Sequence, residues 1–114
     1  MTRDLEINRN AICKGYFYIL TNKKKTVLYA GSTKNLKNRI REHEKGCQKG
    51  FTQKYNVNQL IYYEVFENID MAKSREMEIK GWKREKKVRL IELKNKEWRD
   101  LLGELNRDPS LRSG

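Results

Sequence analysis

The sequence predicts an α/β fold, a small three-stranded and mostly antiparallel sheet flanked by helices. Three observations carry that expectation. Runs rich in β-forming residues at 16–21, 26–30 and 59–67 read as strands. Only Asn22-Lys23-Lys24-Lys25 separates the first two, which suits a hairpin. The stretches after the second and third runs carry apolar residues at helical spacing.

Residues 1–14 show weak periodicity and are expected to form an N-terminal arm. Tyr16-Phe17-Tyr18-Ile19-Leu20-Thr21 is the first strand and Thr26-Val27-Leu28-Tyr29-Ala30 the second. Gly31 ends the second, where a residue without a Cβ lets the backbone turn or come close to a ligand. Ser32, Thr33 or Asn35 can cap the following helix, whose stripe is Leu36, Arg39, Ile40 and His43 and whose natural stop is Gly46. Residues 46–58 contain the aromatic pair Phe51 and Tyr55 among polar residues. Residues 59–67 form the clearest strand, and their unbroken apolar centre predicts a buried position in mid-sheet. Asp70 is expected to cap a long helix from Met71, with Ala72, Arg75, Ile79 and Trp82 on one face. Beyond Gly81 the pattern resumes through Val88, Leu90, Ile91 and Leu93. Trp98, Leu101 and Leu102 predict a short final helix on the core, and residues 103–114 a disordered tail.

At 114 residues the chain is long enough for one domain with a modest core. The N-terminus lacks the apolar segment of a signal peptide, and no apolar run approaches a membrane span. Cys13 and Cys47 are too few for a disulfide framework, so a cytoplasmic protein with free thiols and no membrane partner is expected. His43, Cys47 and Cys13 do not complete a zinc clamp, because no C-x-x-C pair or fourth ligand accompanies them. A net charge of +11 favours a polyanionic partner. Its distribution is uneven. Residues 34–54 carry seven Lys/Arg and residues 80–99 carry nine, while residues 55–79 hold five acids against Lys73 and Arg75. Charged helices alone explain ionic surface but not this excess of one sign, which points to nucleic acid.

Five residues stand out as a candidate site: Tyr18, Tyr29, Arg39, His43 and Glu76. Arg39 and His43 are four apart, so they share a helix face with Leu36 and Ile40. A cation and an imidazole beside a buried stripe cost free energy unless they have partners. Taken alone, Arg39 is better explained by pairing with a surface acid such as Glu42, and His43 as an ordinary boundary histidine. Glu76 lies about 40° from Ala72 and about 60° from Ile79 at 100° per residue, at the edge of the core face. A carboxylate there can hold a divalent cation or simply pair with Lys73 or Lys80. Tyr18 and Tyr29 fall on adjacent strands, where core packing is also a sufficient reason for a tyrosine.

The combination resembles the GIY-YIG nuclease family. It is carried by Tyr16-Phe17-Tyr18, by Tyr29-Ala30-Gly31 eleven residues on, by Arg39 and His43, and by Arg75-Glu76. The segments Gly50-Phe51-Thr52-Gln53-Lys54-Tyr55 and Arg75-Glu76-Met77-Glu78-Ile79-Lys80-Gly81-Trp82-Lys83-Arg84 are similar to the small stand-alone members. The likeness covers residues 15–102, the expected nuclease domain. Tyr16-Phe17 replace Gly-Ile and Ala30 replaces Ile, at positions that read as packing.

The resemblance implies an endonuclease that hydrolyses DNA phosphodiesters with one Mg²⁺ or Mn²⁺. A small chain with no obvious second recognition domain is expected to show low sequence specificity, with branched or repair and recombination intermediates among its substrates. The resemblance also implies Glu76 as the only protein ligand of the metal, and Tyr18 as activator of the attacking water with His43 taking its proton. Arg39 would bind the scissile phosphate and Tyr29 would position water or phosphate. A tyrosine with a pKa near 10 needs help as a base at neutral pH, and Arg39, the metal and His43 each favour that role. Arginine also offers a planar fork for phosphate that lysine lacks. Lys34, Lys80, Lys83, Arg84, Lys86 and Lys87 are expected to grip the duplex backbone. Phe51 and Tyr55, interleaved with Lys49 and Lys54, fit base stacking with phosphate contacts and equally fit a loop pinned to the core. Two competing expectations are a nucleic-acid-binding module of the same fold without cleavage, and a protein-interaction module with an acidic partner. Oligomeric state is not readable from the sequence.

Overall fold

The computed structural model describes residues 14–44 and 57–103, except the side chains of His43 and Glu44. The expectations for the N-terminal arm up to residue 13, Gly46, Cys13, Cys47, Lys49, Phe51, Lys54, Tyr55 and residues 104–114 lie outside that description.

Three strands, β1 (Gly15–Thr21), β2 (Leu28–Thr33) and β3 (Gln59–Phe66), form one antiparallel sheet in the order β2-β1-β3. Three helices follow the strands: α1 (Leu36–Glu44), α2 (Ile69–Lys80) and α3 (Arg84–Lys94). The expected α/β class with a three-stranded sheet is what the chain adopts. Alternation along β1 divides the core into two layers. Tyr16, Tyr18 and Leu20 meet Leu36 and Ile40 of α1 on one face. Phe17 and Ile19 meet Ile79 of α2 and Ile91 of α3 on the other.

The mid-sheet position belongs to β1, all of whose residues are buried, and not to β3 as its apolar run suggested. Helices cover both faces of β3, so unbroken burial does not require a strand on either side. A register shift between Ile19 and Leu20 also bulges β3 at Ile61. Ile61 and Tyr62 thereby both join the α2–α3 layer, which breaks the alternation a sequence reader counts on.

The β1–β2 hairpin closes through Asn22, whose Oδ1 accepts the amides of Thr26 (2.9 Å) and Val27 (3.1 Å). Lys25 takes the left-handed backbone that the turn needs, at φ 60°. Asn35 is the cap of α1, accepting the Asn38 amide at 3.0 Å. The cap of α2 is Asn68 rather than Asp70: its side chain accepts the Met71 amide at 3.0 Å, and the helix starts two residues earlier than expected. Asp70 sits in the first turn, where its charge suits the helix dipole. Gly81 ends α2, donating its amide to the Glu78 and Ile79 carbonyls.

Trp98, Leu101 and Leu102 pack on the core as expected, but helix begins only at Leu102, at the end of the described residues; before it, residues 95–101 form a strap of turns and irregular backbone along the outer edge of β3. Buried Asn95 donates to the Ile61 and Arg99 carbonyls at 2.9 and 2.8 Å. Leu101 donates its amide to the Leu60 carbonyl at 2.7 Å, and Asp100 accepts the Leu60 amide at 3.3 Å. These bonds cover the β3 edge. No strand among the described residues pairs with the outer edge of β2. No helix of the described residues is long and apolar enough to cross a membrane.

Candidate active site

The candidate residues gather around β2, whose outer edge pairs with no strand among the described residues. The hairpin register sets Tyr18 opposite Gly31 and Leu20 opposite Tyr29, so both tyrosines belong to the α1 side. Tyr18 is fully buried. A Cβ on Gly31 would stand 2.5 Å from the Tyr18 hydroxyl oxygen and 2.7 Å from its ring Cζ. The phenol therefore occupies the volume that any other residue would fill, and Gly31 is required by that close approach. The Tyr29 ring lies 6.4 Å from the Tyr18 ring, tilted by 39°.

Arg39 projects from α1, where its Nε pairs with Glu42 Oε1 at 3.2 Å. Both side chains are about one-third exposed, so this pair contributes little and leaves the guanidinium available. Burial pushes the Tyr18 phenol well above its ordinary value of 10, and Tyr29 and Glu76 add to that rise. Arg39 opposes it by charge and hydrogen bonding. Tyr18 thus sits in the electrostatic reach of both Arg39 and Glu76. His43 lies one turn beyond Arg39 on α1.

Glu76 arrives from the opposite layer, on α2. Ser32, the residue after Gly31, points to that layer because it pairs with Phe17. Its Oγ donates to Glu76 Oε1 at 2.5 Å. Lys80, one turn along α2, places Nζ 2.6 Å from Glu76 Oε2. The Glu76 side chain is only 19% exposed, whereas that of Lys80 is 52% exposed. The candidate site therefore straddles β2. Phenols and guanidinium stand on one side, the carboxylate stands on the other, and Gly31-Ser32 is the backbone between them.

Among the described residues no three His, Cys, Asp or Glu side chains come together as a metal cage. A lone carboxylate still fits a hard divalent cation, because Mg²⁺ commonly takes one or two carboxylates and fills its shell with water and phosphate oxygens. Both oxygens of Glu76 already accept donors, the neutral Ser32 hydroxyl at Oε1 and the Lys80 ammonium at Oε2.

The predicted duplex-gripping residues separate in the structure. Lys34, Lys83, Arg84 and Lys86 are exposed, and Lys87 is half-buried. Lys86 Nζ stacks over Trp82 at 4.3 Å from the ring centre. Lys80 is tied to Glu76 and so belongs with the site rather than with that surface.

Two partners were missed by sequence reading. Ser32 was considered only as a helix cap, and Arg75 only as a member of a helix face and of the Arg75-Glu76 motif, with no partner named for it. Arg75 donates from Nε to Glu64 Oε1 at 2.9 Å and from Nη2 to Glu64 Oε2 at 3.1 Å. Its Nη1 reaches Glu78 at 3.1 Å. Tyr62 donates its hydroxyl to the same Glu64 carboxylate. Burial opposes the Glu64 charge, but the bonds from Arg75 and Tyr62 outweigh it and hold the carboxyl below its usual range. The only local signal was Glu78 three residues from Arg75, since the Glu64 contact spans two elements.

A central antiparallel sheet with paired tyrosines at Gly31, an arginine on the first helix and a glutamate on the second defines a GIY-YIG module. The chain belongs to the GIY-YIG family: the description of its catalytic domain matches residues 14–89. A UPF0213 protein of Clostridium perfringens is 42% identical over 80 residues, which cover 70% of this chain and 85% of that one. A UPF0213 protein of Staphylococcus saprophyticus is 38% identical over 68% of this chain and 94% of its own. The solution NMR structure of a UPF0213 protein from Bacillus halodurans superposes with a TM-score of 0.50 at 29% identity, covering 76% of this chain and 92% of that one. The family places the chain among nuclease-type domains acting on nucleic acid.

Proposed function

We infer that the protein is a metal-dependent endonuclease that hydrolyses DNA phosphodiester bonds with little sequence specificity. One observation carries this reading: Glu76 is fixed by Ser32 of β2, within electrostatic reach of buried Tyr18, which Arg39 also influences. The module in this reading spans residues 15–102, so that the strap on β3 belongs to it. Branched repair or recombination intermediates are the substrates we favour.

Glu76 would hold one Mg²⁺ or Mn²⁺, which when bound polarises a phosphoryl oxygen and offsets developing charge. The protein's own residues supply the rest. Arg39 binds the phosphate and stabilises the charge that builds up on it in the transition state. The Tyr18 phenol is held protonated by burial, so it acts as a relay. Its oxygen takes a proton from the attacking water while its own proton passes to His43. The hydroxide so formed attacks phosphorus and the bond to the leaving oxygen breaks. Tyr29, beside Tyr18, limits where the water can sit.

Supercoiled plasmid incubated with Mg²⁺ or Mn²⁺ is expected to be nicked by the wild-type protein and left intact by Glu76→Ala. Flapped and four-way junction DNA extend the comparison to structured substrates. Failure of the wild type on all of them sinks the reading. Salt-sensitive binding that Glu76→Ala leaves unchanged, with no product, selects a binding module instead.

A further inference from the structure

The two oxygens of Glu76 are held by donors of different kinds. Ser32 Oγ is neutral, sits on β2 and grips Oε1. Lys80 Nζ is a cation on a long flexible stem, more than half exposed, and sits at Oε2. Lys80 is the last residue of α2, and Gly81 follows it with no helix until Arg84. Its stem can therefore swing clear without disturbing packing. Ser32 cannot, because β2 fixes its backbone against β1.

A divalent cation approaching this carboxylate meets Ser32 on one oxygen and an ammonium on the other. Two cations cannot share Oε2 at close range without strong repulsion. We propose that Lys80 is a built-in competitor for the divalent ion: it neutralises Glu76 when the metal is absent and must leave when the metal binds. The proposal rests on the metal-dependent reading above. Its logic has two parts. The ammonium keeps a poorly solvated carboxylate from standing uncompensated on a half-buried helix face. Once displaced, the same ammonium is released beside the phosphate that the metal brings, so its charge passes from carboxylate to substrate. Metal entry and phosphate binding are then coupled through one side chain, and the metal affinity of the free protein is set below what Glu76 alone would give.

The measurement is Mn²⁺ binding to the free protein, without nucleic acid, by water-proton relaxation at fixed ionic strength. Lys80→Gln is expected to tighten binding by about two- to tenfold, the range between a typical helix ion pair and a partly buried one. Lys73→Gln removes the same charge from the same helix without touching Glu76, and is expected to change affinity far less. Glu76→Gln is expected to remove the site. In parallel, Mg²⁺ added to the wild type is expected to shift the Lys80 side-chain NMR signals, and to leave them still in Glu76→Gln. Equal affinity of wild type and Lys80→Gln, with binding still dependent on Glu76, overturns the competitor role and leaves the nuclease reading standing. Weaker binding by Lys80→Gln overturns it as well, since Lys80 would then be helping the metal. If no variant binds Mn²⁺ at millimolar concentration, Lys80 has no rival to displace and the proposal falls, while plasmid cleavage still judges the nuclease.

Discussion

Arg75 and Glu76 are neighbours on α2, yet they face different surroundings. Arg75 faces β3 and is tied on every side: two bonds to Glu64, one to Glu78, and a stacking contact 5.6 Å above Trp82. Glu76 faces the β2 edge and has one fixed partner, Ser32, and one movable partner, Lys80. The sheet repeats the contrast. The β3 edge is covered by the strap from Asn95 to Leu102, while the β2 edge has no strand beside it among the described residues. Polar groups that only stabilise are saturated with partners. A group meant to bind something keeps one partner it can give up. Arg75 thus anchors the helix that carries Glu76, the proposed metal-holding residue.

The contrast breaks most visibly at Glu76. Glu76→Ala is expected to lower plasmid cleavage by at least about a thousandfold, the scale for losing a group that acts on the transition state. Its thermal midpoint should stay near that of the wild type, since the lost contacts are one hydroxyl and one exposed lysine. A large fall in the midpoint would make Glu76 structural. Arg75→Met is expected to do the reverse. It strands the carboxylate of Glu64, which is 16% exposed, and such losses cost about 2–4 kcal/mol. Calorimetry checks this, with pH as the second axis. Glu64 has a lowered folded-state pKa, so its contribution is fully present above the ordinary value of 4.5. It fades as pH falls through the lower folded-state value. The midpoint gap between wild type and Arg75→Met should therefore shrink in acid; a gap that is constant with pH would show that packing on Trp82 matters and the ion pair does not.

Much of this architecture is legible locally. The hairpin, the β3 run and the amphipathic stripes of α1 and α2 follow from period and propensity. The family follows from the spacing of Tyr18, Tyr29, Arg39 and Arg75-Glu76. What escaped depends on contacts between distant elements. Nothing near Ser32 announces that it will meet a carboxylate 44 residues later, or near Leu60 that Asp100 and Leu101 will cover its edge. Strand order failed for a related reason. Apolar content reports burial on the faces, not hydrogen bonding at the edges, so β3 looked central when it is not. The straddling of β2 was also invisible, because a helix stripe shows that Glu76 borders the core but not which face of the sheet it borders.

Tyr18→Phe sharpens the comparison within the site. Only a hydroxyl is lost from a fully buried ring, so folding should be retained while cleavage falls by about a hundredfold, typical of a proton-transfer group. The pH profile separates two mechanisms. A phenolate base with its pKa raised by burial would make the rate climb roughly tenfold per pH unit through pH 10. The relay proposed here needs no phenolate, so the rate should not climb in this way, and Tyr18→Phe should flatten what remains.

The smallest expected effect falls on Gly31, which joins the two halves of the site. Alanine there puts a methyl carbon 2.5 Å from the Tyr18 hydroxyl, well inside contact distance. Tyr18 is fully buried between β2 and α1, so its ring cannot simply rotate away. Overpacking of this kind costs about 1–3 kcal/mol. Because the pressure falls on the hydroxyl end of the ring, the phenol must move from the β2 edge where the carboxylate also ends. Gly31→Ala should then lose more activity than its lost stability accounts for, measured at a temperature where both proteins are folded. The double variant Gly31→Ala/Tyr18→Phe deletes the nearest clashing atom but leaves the ring Cζ 2.7 Å from the added carbon, so it should recover part of the thermal midpoint and none of the rate. No recovery of the midpoint would mean that the ring carbons or the β2 backbone carry the clash, and that the hydroxyl is not what Gly31 makes room for.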